Sequence, residues 1–216
     1  MRTPPSHERL LARLIADAHP VRPLWAPHSR LALWLALQTL TLGVAVTVGL
    51  RPNLGDHLRR PLFLLELGAL IAAGVTAAAL ALRAAVPGMA GGRVGLTCSV
   101  LLGTVALLAH EPAASVHSLQ GFVANGTQCV ICMLAFSALP WTALFVAVRR
   151  GAPLNGPGAG AYTGAAAFLF AAAAVRIACP IDEELHLLAW HVVPIAMGTA
   201  LSAVAGARWL ERWDHA

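Results

Sequence analysis

The chain has 216 residues, of which 58% are hydrophobic and 12% are charged, and its mean hydropathy is +0.70. This number of charged residues is too small to cover the surface of a soluble domain of this length. The composition therefore excludes a soluble protein and predicts an integral membrane protein. The net charge of +5 needs no nucleic-acid partner, because an uneven arginine distribution across a membrane accounts for it.

Residues 1–29 form a segment predicted to lie outside the membrane on the cytoplasmic side. Within it, the stretch from His7 to Ala18 has the periodicity of an amphipathic helix and is followed by a proline-rich stop. Its apolar stripe comprises Leu10, Leu11, Leu14 and Ile15. A helix of about a dozen residues is only marginally stable alone in water, so its apolar stripe is expected to pack against another surface. Both a lipid interface and a partner protein could provide that surface.

Six apolar runs follow, and a helix needs about 20 mostly apolar residues to cross a bilayer. They extend from Leu31 to Leu50, Leu62 to Leu82, Val94 to Ala109, Val130 to Val148, Gly158 to Val175 and Leu187 to Ala207. The third and fifth runs are short. The sequence predicts an all-α fold in which residues 30–216 form a bundle of six transmembrane helices.

The arginines fall mainly on one side of this predicted topology. That side has eleven: Arg2, Arg9, Arg13, Arg22, Arg30, Arg83, Arg93, Arg149, Arg150, Arg208 and Arg212. The other side has four: Arg51, Arg59, Arg60 and Arg176. Because basic residues accumulate in cytoplasmic loops, both termini are predicted to be cytoplasmic.

Three features inside the predicted spans bear on packing. Glu66 lies about a turn inside the second span, where an ionisable side chain is costly and faces a bundle interior or cavity. Hydrogen-bonded packing and a functional role both fit it. Gly158, Gly160 and Gly164 in the fifth span predict that a neighbouring helix approaches closely. Cys98 is predicted to be a buried hydrophobe, remote from the other cysteines.

The stretch from Cys179 to His191 concentrates the polar chemistry of the second half. Asp182 is predicted to cap the helix that follows and to share a face with His186, one turn on. An acidic first turn is also what an ordinary interfacial helix has. The predicted topology places this stretch on the same outer face as Cys129 and Cys132.

Three thiols and two imidazoles at one face can bind a soft metal such as copper, zinc or cadmium. Thiols in an oxidising periplasm can equally form a disulfide. The candidate set is Cys129, Cys132, Cys179, Asp182, His186 and His191. Asp182 would orient His186, as carboxylates often orient metal-bound histidines. His191 lies a turn deeper and also fits a hydrogen-bonded histidine of the bundle.

Several stretches in the second half occur together in an order that points to a family. They are Cys132-Met133-Leu134, Ala138-Leu139-Pro140, Arg149-Arg150-Gly151-Ala152-Pro153, Gly160-Ala161, Gly164-Ala165, Cys179-Pro180 with Asp182 and Trp190, and Gly206 with Arg208 and Leu210. Through them the chain resembles the NrsF type of polytopic anti-sigma factors. The resemblance implies a regulator, not an enzyme, in the bacterial inner membrane. It also implies that the N-terminal segment holds an extracytoplasmic-function (ECF) sigma factor inactive without itself binding nucleic acid.

The resemblance further implies that Cys132 and Cys179, which match the family's two characteristic thiols, take part in signal sensing. This chain departs from the pattern at three positions. His191 stands where an aromatic residue usually follows the tryptophan, His186 stands at a position that is more often apolar, and Cys129 is extra. These departures shift the predicted signal toward a metal.

Two other classes also fit parts of the sequence. A membrane thiol-disulfide oxidoreductase would have a Cys-x-x-Cys pair at the outer end of a span, but it would need a second periplasmic pair, and Cys179 is a single thiol. A small metal transporter would need ligands through the whole bilayer, where Glu66 and His191 are nearly alone. The sequence therefore favours the anti-sigma factor over both.

Overall fold

The computed structural model describes residues 6–18, 23–89, 94, 97–98, 101–102, 105 and 118–210. These residues form helices and connections, and no strand occurs among them. The helices are α1 (Ser6–Ala16), α2 (Pro27–Val48), α3 (Leu54–His57), α4 (Pro61–Ala84), α5 (Leu119–Arg149), α6 (Gly156–Ala178), α7 (Glu184–Leu187) and α8 (Val193–Trp209). A π-helical turn, Leu188–Val192, joins α7 to α8 without a break.

Among the described residues, five helical segments are long and apolar enough to cross a membrane: α2, α4, α5, α6 and the continuous segment Glu184–Trp209. The described residues confirm the all-α prediction, and these five segments agree with five of the predicted spans. The third predicted span, Val94 to Ala109, falls mostly outside the described residues, so the count of six stays a prediction. Cys98 is exposed, so the prediction that it is buried is wrong. A thiol on the outside of a bundle costs little, since it is a small apolar group.

Helix α5 begins earlier than the sequence analysis expects. Its N-cap is Ser118, whose hydroxyl accepts a hydrogen bond from Gly121 N at 3.0 Å. Residues 119–128, which precede the predicted fourth span, form the first turns of this helix. Cys129 therefore lies ten residues inside α5, about 15 Å along its axis.

Helix α6 is the central element of the bundle and packs against α4, α5 and α8. Its glycines allow the closest of these contacts. A Cβ atom on Gly160 would lie 2.2 Å from the carbonyl oxygen of Ser202, and one on Gly206 of α8 would lie 2.2 Å from the carbonyl oxygen of Gly156. The prediction of close approach at the fifth span is confirmed, because the backbones of α6 and α8 meet without intervening side chains.

Polar side chains join several of the helices. The indole Nε1 of Trp34 in α2 donates to the Pro140 carbonyl of α5 at 2.9 Å. The indole of Trp141 donates to Ser202 Oγ at 2.8 Å, and that hydroxyl donates to the Gly160 carbonyl at 2.7 Å. Because lipid offers no alternative partner for these groups, such bonds fix the rotation of each helix.

Backbone bonds mark the two ends of the bundle. At one end, Ala152 N, just after α5, donates to the Ala85 carbonyl, just after α4, at 2.9 Å. At the other end, Arg51 N, after α2, donates to the Ile177 carbonyl of α6 at 3.1 Å. We call the latter the thiol end, because Cys179 directly follows α6 there.

Replacing Gly160 with leucine is expected to push α6 and α8 apart, because the new side chain has no space against the Ser202 carbonyl. Overpacking of this kind costs about 1–3 kcal/mol or more. The matched control is Gly68→Leu in α4, where a Cβ atom would meet nothing within 4 Å. Thermal unfolding of the purified protein in detergent measures both variants. Equal melting temperatures for the two would contradict the packing described above.

Candidate functional site

The thiol end contains a buried ion pair between two spans. Arg176 in the last turns of α6 donates from Nε to Glu66 Oε1 at 2.5 Å and from Nη2 to Oε2 at 3.1 Å. The Arg176 side chain is fully buried and that of Glu66 is 1% exposed. A two-pronged bond of this kind satisfies both planar groups, which buried charges require. Glu66 therefore faces the bundle interior, as predicted, and its partner is Arg176.

Asp182 extends this network to the first connection of the bundle. Arg51 donates to its two oxygens at 2.6 and 3.1 Å, and Arg176 Nη1 donates to Oδ1 at 3.0 Å. The His57 Nδ1 atom donates to the Asn53 carbonyl at 3.1 Å, and its Nε2 atom lies 3.1 Å from both Arg51 Nη2 and Asp182 Oδ2. Two guanidinium groups and two carboxylates thus form one network with no net charge.

The ring of Phe63 lies between the two arginines of this network. The guanidinium carbon of Arg51 is 5.8 Å from the ring centroid and that of Arg176 is 5.5 Å from it. The His57 ring meets the same phenyl edge-on at 5.4 Å. Cation–π contacts favour buried guanidinium groups because the ring face carries partial negative charge.

The predicted role of Asp182 as a helix cap is wrong. Helix α7 begins two residues later, with Glu183 at its N-cap position and no side-chain cap. Asp182 turns instead toward the two arginines, and it does not orient His186, whose Nε2 faces the thiols. Burial raises the pKa of Asp182, but the hydrogen bond from Arg51 and the charge of Arg176 more than offset it, so the net pKa is well below its usual range.

Next to this network, four thiol and imidazole side chains form a compact cluster. Cys129 Sγ lies 3.6 Å from Cys179 Sγ, and His186 Nε2 lies 3.5 Å from the first sulfur and 3.6 Å from the second. A ring nitrogen of His191 completes the group, in which the four candidate ligand atoms all lie within 4.8 Å of one another. All four residues are buried. We call this group the thiol–imidazole cluster.

The π-helical turn explains how His191 reaches the cluster. Pro194 has no N–H, and in a regular helix its ring would clash with the carbonyl of residue 190. The backbone widens just before it, and Val193 N donates to the Leu188 carbonyl five residues back. In a helix with that spacing, residues five apart lie beside one another. His186 and His191 are five apart, and their ring centroids are 5.6 Å apart.

Aromatic side chains enclose the cluster on the side of α5. The Trp190 indole packs directly on Gly126, where a Cβ atom would lie 2.0 Å from the ring. Phe122 contacts both the Trp190 ring, at 5.4 Å between centroids, and the His186 ring, at 6.4 Å. A cavity of about 190 Å³ lies beside His186 and is lined by Ser118, Gly121, Phe122, Asn125, Ile181 and Glu183.

The environment of Cys179 favours its thiolate. The hydrogen bond from the Cys129 thiol, together with that from His186, lowers the pKa of Cys179, while burial opposes this shift. A thiolate is the form that binds metals and attacks oxidants. The cluster can therefore bind a soft cation or form a Cys129–Cys179 disulfide.

Cys132 lies apart from the cluster. It is half-buried one turn along α5, and its sulfur accepts a hydrogen bond from Gln128 Nε2 at 3.6 Å. The structure thus brings together Cys129, Cys179, His186 and His191, whereas the resemblance implies Cys132 and Cys179 as the sensing thiols. The predicted sigma-binding residues lie on α1, where Leu10, Leu11, Leu14 and Ile15 are each more than half exposed.

Sequence reasoning missed the cationic half of the buried network. Arg51 and Arg176 were counted only as topology signals, and His57 and Phe63 were not singled out. An arginine three residues before Cys179, at the end of an otherwise apolar span, was a usable signal for Arg176, because such a charge needs a buried partner.

These features define a class: a multi-pass helical membrane protein with a charged network and a thiol–imidazole cluster at one end of its bundle. The sequence profile of the NrsF family, described as negative regulator of sigma F, matches residues 14–213. The chain belongs to this family, which confirms the resemblance and makes a sigma factor its implied partner. The family is regulatory, which agrees with a protein that is not an enzyme. No curated protein and no solved structure matches the chain.

Replacing Glu66 with glutamine should strongly destabilise the bundle, because the Arg176 charge would remain buried next to a neutral amide. Breaking a buried pair in this way costs about 3–5 kcal/mol. The matched control is Glu184→Gln, which makes the same chemical change at an exposed position and should cost less than about 0.5 kcal/mol. The stabilities of the two variants are compared by their unfolding midpoints in mixed detergent micelles. A Glu66→Gln midpoint equal to that of Glu184→Gln would argue against the ion pair.

Proposed function

We propose that this protein is an inner-membrane anti-sigma factor that sequesters an ECF sigma factor through its N-terminal segment. It releases the sigma factor when thiols and imidazoles on the periplasmic side bind a soft metal or are oxidised. The family assignment supports the coarse function, negative regulation of a sigma factor. The finer parts rest on the exposed stripe of α1, the positions of the helix ends, the thiol–imidazole cluster and the charged network.

The apolar stripe of α1 supports a docking role for the N-terminal segment. Its four members are exposed by 58 to 67% on a helix of only 11 residues. A short helix gains most of its stability from packing an apolar face, and a membrane anti-sigma factor needs a cytoplasmic surface for its partner. We therefore assign the stripe to sigma binding, and the lipid interface becomes the competing outcome of the test below.

The positions of the described helices support six crossings with both termini in the cytoplasm. Helix α4 ends beside the end of α5, as the bond between Ala152 and Ala85 indicates. Helix α5 begins about 46 Å away, at the length of its 31 residues. The chain therefore leaves α4 at one end of the bundle and enters α5 at the other, as a further crossing requires. With the arginine excess inside, the thiol end faces the periplasm.

The thiol–imidazole cluster is the best-supported signal site, because it is the single place among the described residues where metal ligands converge. A soft metal would bind there through sulfur and nitrogen. In the oxidative version, the Cys129 and Cys179 thiols lose two protons and two electrons to a periplasmic oxidant as the S–S bond forms. Disulfide formation would draw Cys179 toward Cys129 and so move the segment that carries it, whereas a bound metal would hold that segment against α5 and the two histidines.

The charged network gives that movement a route into the bundle. Cys179 and Asp182 lie in the same short connection, and Asp182 bonds to Arg176 of α6 and to Arg51 beyond α2. A displaced connection would shift the two helices between which it lies. Signal binding alters sigma affinity only if the two bundle arrangements bind the signal differently, and such couplings are about 1–3 kcal/mol, or roughly 5- to 150-fold.

Changing Leu14 to aspartate should remove sigma binding, because it places a charge in the centre of the α1 stripe. The expected loss is about 2–4 kcal/mol, or roughly 30- to 1,000-fold in affinity. The matched control is Ala12→Asp, which adds the same charge to α1 outside the stripe. Co-purification with the sigma factor and transcription from a sigma-dependent promoter are the measurements. Constitutive transcription is expected for Leu14→Asp alone.

If the α1 stripe binds only the lipid surface, Leu14→Asp should give a different result. Leu14→Asp would then lower association of the N-terminal segment with vesicles and leave co-purification of the sigma factor unchanged.

Single substitutions distinguish the roles of Cys129 and Cys132, the two thiols of α5, in sensing. If sensing runs through the thiol–imidazole cluster, Cys129→Ser and Cys179→Ser each abolish the transcriptional response to cadmium, zinc and oxidants, while Cys132→Ser retains it. If it runs through the pair that the family resemblance implies, Cys132→Ser abolishes the response and Cys129→Ser retains it. Immunoblots of membrane fractions confirm equal amounts of each variant. A double Cys129→Ser, Cys179→Ser variant with a normal response would remove the cluster from the signal pathway.

A further inference from the structure

We infer that the thiol–imidazole cluster is a closed, four-ligand tetrahedral site for a divalent cation of the zinc group, with Cys129, Cys179, His186 and His191 as its ligands. Cys132 is not a ligand. The inference rests on the proposed function for its regulatory meaning, because it names the ligand of the same site. Its chemistry stands on the geometry alone.

The distances within the cluster match the edges of a tetrahedral zinc site. Zinc lies about 2.3 Å from sulfur and about 2.0–2.1 Å from nitrogen, so tetrahedral angles set edges of about 3.8 Å between two sulfurs and about 3.5 Å between sulfur and nitrogen. The observed edges are 3.6 Å for Cys129 Sγ to Cys179 Sγ, and 3.5 and 3.6 Å for the sulfurs to His186 Nε2. These three ligand atoms therefore need almost no rearrangement to bind a cation, and a His191 nitrogen lies within 4.8 Å of each of them.

His191 gives an independent indication of a missing partner. The residue is fully buried, and neither of its ring nitrogens makes a hydrogen bond of normal geometry to a described residue, although the ring interacts electrostatically with Cys179. Buried polar groups are nearly always paired, and one that is not calls for a bound ion or water. One His191 nitrogen lies within 4.8 Å of the other three ligand atoms, so a cation at the centre of the cluster would satisfy it.

The charge of the site selects a divalent cation. Two thiolates and two neutral imidazoles carry a charge of −2, which a divalent cation cancels. In the neighbouring network the charges of Arg51 and Arg176 are neutralised by those of Glu66 and Asp182, so these arginines do not neutralise the thiolates. A monovalent copper ion would leave one uncompensated negative charge in a buried place, which is costly. Zinc and cadmium therefore fit better than copper(I).

The cavity beside His186 offers an entry path to the site. Its lining includes Glu183 and Asn125 as well as His186, which is a ligand of the site. Oxygen ligands bind a soft cation more weakly than sulfur does, so a cation that enters through this cavity would pass on to the thiols.

Binding would join three membrane-spanning elements through one ion. Cys129 belongs to α5, Cys179 follows α6, and the two histidines belong to α7 and the π-helical turn. The site has no open coordination position, which is the mark of a structural or sensory site and not of a catalytic one.

The direct test uses the reduced full-length protein in lipid nanodiscs, titrated with Co²⁺ as a spectroscopic probe. Tetrahedral cobalt with two thiolate ligands gives intense visible bands and a sulfur-to-metal charge-transfer band. We expect one Co²⁺ per chain, complete displacement by Zn²⁺ or Cd²⁺, and release of thiol protons on binding. X-ray absorption of the zinc-loaded wild-type protein should show two sulfur and two nitrogen neighbours, a result that depends on no variant.

Single substitutions identify the ligands. Cys129→Ser, Cys179→Ser, His186→Ala and His191→Ala should each lower Zn²⁺ affinity more than about 100-fold, beyond the effect of an outer-shell change. Cys132→Ser and Cys98→Ser are the matched controls and should bind normally. Tight binding by His191→Ala, loss of binding in Cys132→Ser, or a zinc spectrum with three sulfurs would each overturn the ligand set. Tighter binding of copper(I) than of zinc would overturn the charge argument.

Two further measurements separate this inference from the sensor proposal. Bound zinc should protect Cys129 and Cys179 from disulfide formation by a mild oxidant, as mass spectrometry detects, and unprotected thiols would contradict the site. Sigma release is measured separately on the zinc-loaded protein. If zinc binds but does not release the sigma factor, the four-ligand site stands and zinc is not the signal. If metal still triggers release from the His191→Ala variant, the protein is a metal sensor and the four-ligand site is wrong.

Discussion

Two guanidinium groups buried at one end of an apolar bundle impose the strongest constraint on this structure. Arg176 and Arg51 have fully buried side chains, and neither charge is tolerable in a low-dielectric interior without close carboxylates. Glu66 supplies one from α4, and Asp182 supplies the other from the connection after α6. Satisfying the arginines therefore fixes the rotation of α4, the path of the connection and the position of Cys179 at its start.

A single proline determines the second half of the site. Pro194 disfavours a regular helix across residues 190 to 194, and the backbone there forms a π-helical turn that places His191 beside His186. The Trp190 indole then packs against Gly126, which holds the turn on α5 near Cys129. The thiol–imidazole cluster thus depends on a local backbone rule and on one close contact between helices.

The two functional surfaces of the proposed regulator lie in different parts of the chain. The α1 stripe precedes the bundle, and the cluster lies at the thiol end, so communication has to pass through the helices between them. Close packing of α6 against α4, α5 and α8 favours rigid-body shifts over local deformation, because packed interfaces transmit displacement. The network of Asp182 with Arg176 and Arg51 is where a change at Cys179 would first reach those helices.

The sequence by itself determined the membrane class, five of the described spans, the inward-facing Glu66 and the family, because these depend on composition, on local periodicity and on motifs that follow one another along the chain. It also located Cys129, Cys179, His186 and His191 among the candidate ligands. Tertiary structure alone decided that Cys129 and not Cys132 meets Cys179, since two residues three apart on a helix face different neighbours and only the rotation of α5 selects one of them. It likewise decided that Asp182 binds arginines 6 and 131 residues away along the chain instead of capping a helix. Buried charges choose partners by proximity in space, and no local pattern records that choice.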